Sequence, residues 1–179
     1  MANSEDPLPR SLRRMIQAFQ AFRGATTLDR AHDAWEDFLV YWHRAANKIE
    51  LLGEAHNGEK WLRAQIWNDP FLKYLRLARN AGDHGLGPVM QKVPGGTADP
   101  GFMIEIGGGI GVSANGRVGM MLAPGLGMEF LPEALELVSV HTDRGETCDP
   151  PMKNGRPVRA LDVGEVGIHF LTQAAASII

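Results

Sequence analysis

Cysteine is nearly missing from this chain: Cys148 is the single one in 179 residues. That excludes an intrachain disulfide and a multi-cysteine zinc site. No apolar run approaches the roughly 18 residues that a membrane-crossing helix needs. The opening MANSEDPLPR is acidic and then broken by proline, with none of the apolar stretch of a secretory signal. A cytoplasmic chain with no membrane association is the expectation. The phosphate-cradling pattern G-x-x-x-x-G-K-[ST] does not occur. The histidines (His32, His43, His56, His84, His141, His169) never fall into H-x-x-x-H or H-E-x-x-H. His32 and His43 can share a helix face, but no nearby acid completes a ligand set, so neither metal nor cofactor is expected. Cys148 lies beside Asp149 and two prolines, and a neighbouring carboxylate disfavours its thiolate. Ser113 lacks the G-x-S-x-G turn of a serine nucleophile.

What is present suits a globular protein: 44% of residues are hydrophobic and 22% charged. The length fits one domain spanning 1–179 with a real core. The net charge of −3 is unevenly spread. Residues 10–23 carry Arg10, Arg13, Arg14 and Arg23 with no acid, and residues 59–92 carry six basic groups against three acids. Residues 129–149 reverse this, with six acids and only Arg144. The two basic segments together offer a surface for a phosphate backbone; the plainer alternative is a solvated helix face.

The first half reads as helix. Leu12, Ile16, Phe19 and Phe22 recur at helical spacing until Gly24. Thr26 and Asp29 form a capping box for the next helix. There Leu28, Ala31, Trp35, Phe38, Trp42, Ala45, Ile49 and Leu52 step by three and four up to Gly53. Such a seam packs along another helix, in a bundle or across a homodimer. Trp61, Leu62, Ile66 and Trp67 mark a shorter helix. Asp69 caps a further one with Pro70 in its first turn and Phe71, Tyr74, Leu75 and Ala78 on its core face. Gly82 and Gly85 end it, ahead of Pro88.

Beyond residue 89 glycine becomes frequent. Residues 102–106, 110–113 and 117–122 read as strands, with Asn115-Gly116 as a tight hairpin turn. Residues 134–141 suggest another strand, or PEALEL the start of a helical turn, and 142–157 a loop. Asp162 and Glu165 cap a last helix whose face is Val163, Val166, Phe170 and Ala174. The expected fold class is α+β: a helical bundle over 10–88, a Gly-rich antiparallel β-hairpin segment over 93–157, and a C-terminal helix over 160–179 completing the bundle.

Two stretches invite chemistry. Gly109-x-Gly111-x-x-Ala114 follows a strand, as a dinucleotide-binding loop does, but that loop must open a helix, and here a hairpin turn arrives instead. The second stretch is RNAGDHG, residues 79–85. On an unbroken helix Arg79 and His84 stand about 140° apart. If the helix breaks at Gly82, both can converge on one anion: arginine as a fixed fork for phosphate oxygens, histidine to move a proton near neutral pH.

LARNAGDHG resembles the R-x(4–6)-H motif of the HEPN superfamily, with Asn80 as the polar residue that often follows its arginine. HEPN proteins are helical bundles, commonly dimeric, and many are metal-independent ribonucleases of toxin–antitoxin and phage-defence systems. Others bind RNA or nucleotides without cleaving them. The resemblance covers about residues 28–88, plus the last helix by architecture only, and the β segment at 93–157 departs from a minimal HEPN bundle. It implies Arg79 as phosphate binder, His84 as general acid/base and Asn80 as their orienting neighbour. It also implies RNA or a nucleotide as ligand, and an antitoxin protein and a second copy as partners. A non-catalytic binding module, and a structural or regulatory protein with RNAGDHG as a helix stop, stay open beside the endoribonuclease.

Overall fold

The computed structural model describes residues 7–57, 61–93, 96–98, 103–107, 110–113, 118–123, 126–131, 134–153 and 155–178. The helices are α1 (Pro7–Arg23), α2 (Leu28–Asn57), α3 (Trp61–Asn68), α4 (Pro70–Asp83) and α5 (Ala160–Ala176). The strands all lie between α4 and α5, so the fold is mainly helical α+β with antiparallel strand pairs. Two compact units result: one holds the residues up to Gln91 and from Glu136 on, the other Lys92–Leu135.

In the helical unit α2 is the spine, and α1, α3, α4 and α5 all pack on it. Trp35, Phe38, Trp42, Ala45 and Ile49 are fully buried, so the three-four seam lies inside the bundle and not across a dimer. Phe19 and Phe22 of α1 meet Phe38 and Trp35 with ring centroids 5.3 and 5.2 Å apart. Trp42 Nε1 donates to the Gly167 carbonyl of α5 at 3.1 Å. A Cβ on Gly167 would stand 2.8 Å from that nitrogen, so glycine is what lets α5 approach.

Several expected details shift. The core face of α1 is Leu8, Met15, Ala18 and Phe19, while Ile16 is exposed, because α1 packs one step around from the simplest reading of its pattern. Thr27, not Thr26, caps α2, its Oγ1 accepting from Arg30 N at 3.3 Å. Gly53 does not end α2, which continues to Asn57; it admits the Trp61 indole, which stands 2.7 Å from where its Cβ would be. Leu52 and Trp67 are exposed. The face of α5 is Val163, Gly167, Leu171 and Ala174, with Val166 exposed. Its N-cap is Arg159, which makes no side-chain cap but grips Asp162 in a two-pronged pair at 2.9 Å.

The chain leaves the helical unit through β1 (Met90–Val93) and returns through β7 (Ala134–Leu137), and these two strands pair. Between them β2 (Gly96–Ala98), β3 (Met103–Gly107), β4 (Ile110–Ser113), β5 (Val118–Ala123) and β6 (Leu126–Leu131) form an antiparallel sheet in the order β2-β6-β5-β4-β3. The strand expected at 134–141 is divided into β7 and β8 (Val140–His141). The expected loop holds three short strands: β9 (Thr147–Cys148), paired with β8, and β10 (Met152–Lys153), paired with β11 (Arg156–Pro157). Among the described residues no helix is long and apolar enough to cross a membrane.

Candidate functional site

Both ends of α4 are held by short-range chemistry. At its start Asp69 Oδ1 accepts from Phe71 N at 2.8 Å and Leu72 N at 3.0 Å, with Pro70 in the first turn as expected. Its end differs from the expectation. The helix runs through Gly82 to Asp83, and His84 is its C-cap, with its backbone N–H on Asn80 O at 3.1 Å. Gly85 then takes φ +63°, Gly85 N bonds Gly82 O at 3.3 Å and Leu86 N bonds Ala81 O at 2.9 Å. These are the paired bonds of a Schellman stop, which needs a residue tolerant of positive φ just past the cap. The break therefore falls at Gly85, after His84, and not at Gly82, before it. Arg79 and His84 keep the roughly 140° separation of an unbroken helix.

Arg79 has a nearer neighbour. Its Nη1 lies 2.6 Å from Asp83 Oδ2, one turn on. Both line an open groove of about 160 Å³ between α2 and α4, together with Glu36, Val40, Gly82 and Val89. One turn earlier on α4, Arg76 Nη1 donates to Asn47 Oδ1 at 3.2 Å and lies 3.9 Å from Glu50 Oε2. The helices are thus in a readable antiparallel register: Arg76 meets Asn47 and Glu50, while Arg79 and Asp83 meet Val40 and Glu36. His43 stands between Val40 and Asn47 on the same face of α2.

The environment of His43 reflects that position. Burial first, and then the Arg76 and Arg79 guanidiniums, push its imidazole down to about 4, with Asp83 acting in the opposite sense. Its ring is therefore neutral at physiological pH. His43 Nδ1 and Arg79 Nε are both buried without a hydrogen-bond partner among the described residues. Burial also lowers the Arg76 guanidinium, with Glu50 opposing. Arg79 and Asp83 line the groove, while His43 lies outside its lining and feels Arg76, Arg79 and Asp83 electrostatically from the facing helix; Asn80 is half-buried and His84 exposed. A stripe of Glu36, His43, Asn47 and Glu50, interrupted by the apolar Val40, runs beside the α2 seam in steps of four and three. That stripe is the signal that could have found His43, but its meaning depends on which helix faces it.

Other candidates separate cleanly. Gly109 and Ala114 lie outside the described residues, and Gly111 is in β4, which pairs antiparallel with β5 instead of opening a helix. His32 Nδ1 is 3.9 Å from Glu36 Oε1, and the described residues contain no group of three or more His, Cys, Asp or Glu suited to a metal. The Cys148 thiol is pushed up, chiefly by burial, with Lys73 opposing and Asp149 adding to it. On α1 the basic residue Arg14 reaches α2, its guanidinium 5.6 Å from the Tyr41 ring, which Arg44 approaches at 5.5 Å. No protein-family model, curated protein or solved structure matches the chain.

Proposed function

We propose that this chain is a HEPN-like module that binds single-stranded RNA in the cytoplasm, taking a backbone phosphate at the α2–α4 groove. The observation that carries this reading is the placement of Arg79, the arginine of RNAGDHG, in an open groove lined by two helices of a bundle. At about 160 Å³ the groove is below the roughly 300 Å³ at which small-molecule pockets begin, which suits one phosphoryl group of a passing strand better than an enclosed nucleotide. Arginine offers such a group a fixed fork of donors. The Arg14–Tyr41–Arg44 cluster adds exposed guanidinium and aromatic surface of the kind that tracks single strands.

Binding is favoured over cleavage because Arg79 and His84 diverge. The cleaving reading rests on the exposure of His84 at the helix end. There it would move the proton of an attacking 2′-hydroxyl while Arg79 stabilises charge on phosphorus and Asn80 orients them, giving a 2′,3′-cyclic phosphate. An antitoxin protein or a second copy would have to use a surface other than the α2 seam.

One experiment separates these readings. Mixed-sequence single-stranded RNA is incubated with the protein in EDTA, and binding and fragments are both followed for wild type, Arg79→Ala and His84→Ala. The expected result is binding that weakens with salt and with Arg79→Ala, without fragments. Cyclic-phosphate fragments lost in His84→Ala would establish the ribonuclease. RNA binding that is absent, or indifferent to Arg79→Ala, would remove the RNA reading and leave RNAGDHG as a helix stop.

A further inference from the structure

Arg79 needs a second donor to fix a phosphate, and the histidine that RNAGDHG supplies is on the wrong face. The structure puts another one in place. We infer that His43 of α2, and not His84, completes the phosphate site with Arg79, and that Asp83 is the built-in competitor the phosphate displaces. This rests on the phosphate-binding reading and goes beyond it, since nothing in RNAGDHG points to α2.

Three observations converge. The register of α2 on α4, set by Arg76 on Asn47 and Glu50 at one level and by the shared groove of Val40, Arg79 and Asp83 at the next, brings His43 opposite the interval between Arg76 and Arg79. Among the described residues four buried side-chain nitrogens have no hydrogen-bond partner; besides the Trp35 and Trp61 indoles they are His43 Nδ1 and Arg79 Nε, one from each of the two facing helices. Buried polar groups are nearly always satisfied, so two left open on facing helices, Arg79 at the groove and His43 beside it, call for an acceptor that reaches both. The charges facing His43 from α4 are Arg76, Arg79 and Asp83, two cations to one anion. An oxyanion is the acceptor that fits: it takes a hydrogen bond from the Nδ1–H tautomer of His43 and one from Arg79 Nε. The guanidinium edge now held by Asp83 is then exchanged for phosphate oxygen. The 47% exposure of the Asp83 side chain makes that exchange easy, because solvent already screens the pair.

The test uses the full chain and a fluorescent single-stranded RNA at fixed pH and salt. His43→Leu deletes the donor and should weaken binding about tenfold, the size of a lost hydrogen bond to a charged group. His43→Asn keeps an N–H near the Nδ1 position and should restore most of that loss. Asp83→Asn removes the competitor and should tighten binding by about threefold, whereas His84→Leu should leave it unchanged. Inorganic phosphate added to wild-type protein should shift the imidazole nitrogen resonances of His43 and not those of His84, a readout that does not depend on any variant folding. If Arg79→Ala weakens binding while His43→Leu does not and His43 resonances stay still, the inference is wrong and the phosphate groove survives. If Arg79→Ala is also without effect, both fall together.

Discussion

Burial decides charge at the level of single side chains, and His43 is the clearest case. Its pKa in the folded protein, about 4, lies below the ordinary 6.5, so the unfolded chain binds a proton that the folded one refuses. The folded state therefore has its full stability above about pH 6.5 and loses part of it as pH falls toward 4. Because the ring is only partly enclosed, solvent screening reduces the expected loss to about 2 kcal/mol. Urea midpoints of wild type and His43→Leu across that window check this: wild type should fall more steeply, and parallel curves would sink the assignment. The same physics pushes the Cys148 thiol and the Tyr74 phenol up, leaving a poor nucleophile and a neutral hydrogen-bond donor. The sequence pointed to Asp149 as disfavouring the Cys148 thiolate, and burial adds the larger cause. In the sequence His43 stood out only as a histidine able to share a helix face with His32, since the neighbours that matter come from a helix some thirty residues away along the chain.

On the scale of elements, local signals were readable where their partners are local. Asp69-Pro70 marks the start of α4, and Asp69→Ala is expected to cost about 1 kcal/mol. The glycines at its other end give a sharper contrast. Gly85 sits at φ +63°, so Gly85→Ala should destabilise by about 1 kcal/mol. Gly82 is helical and exposed, with open space around the position of a Cβ, so Gly82→Ala should stabilise by up to about 1 kcal/mol. Opposite signs in chemical denaturation would support a helix that passes Gly82 and stops at Gly85; a destabilised Gly82→Ala would point back to a break before His84. The faces of α1 and α5 were less legible. Apolar spacing alone put Ile16 and Val166 inward, whereas Met15 of α1 and the small Gly164 and Gly167 of α5 are the residues that the neighbouring helices cover.

For the whole molecule, the helical unit closes on itself around Trp35, Trp42, Tyr74, Leu75 and Leu171, all fully buried. Tyr74 also secures the points where the chain departs and returns. Its hydroxyl donates to Val138 O at 2.8 Å, with Val89 O 3.3 Å away, and Val138 N bonds Val89 O at 3.4 Å. Replacing residues 92–135 by a short Asn-Gly turn between Gln91 and Glu136 should therefore leave a helical circular-dichroism spectrum and a cooperative thermal transition. Loss of that transition would mean that the helical unit lacks a sufficient core of its own.

By itself the sequence determined the helix-rich class, the order of helices before strands before a last helix, the long α2 with its apolar seam, the Asp69 cap and the presence of hairpins. Each of these depends on periodicity or on groups within a few positions of each other. Tertiary structure alone decided that the α2 seam is core and not a dimer contact, because that depends on which helices cover it. It also decided that Gly53 and Gly167 admit indoles. Most of all, it decided that the histidine whose charge state Arg76 and Arg79 influence is His43, since helix register joins residues that spacing along the chain keeps far apart.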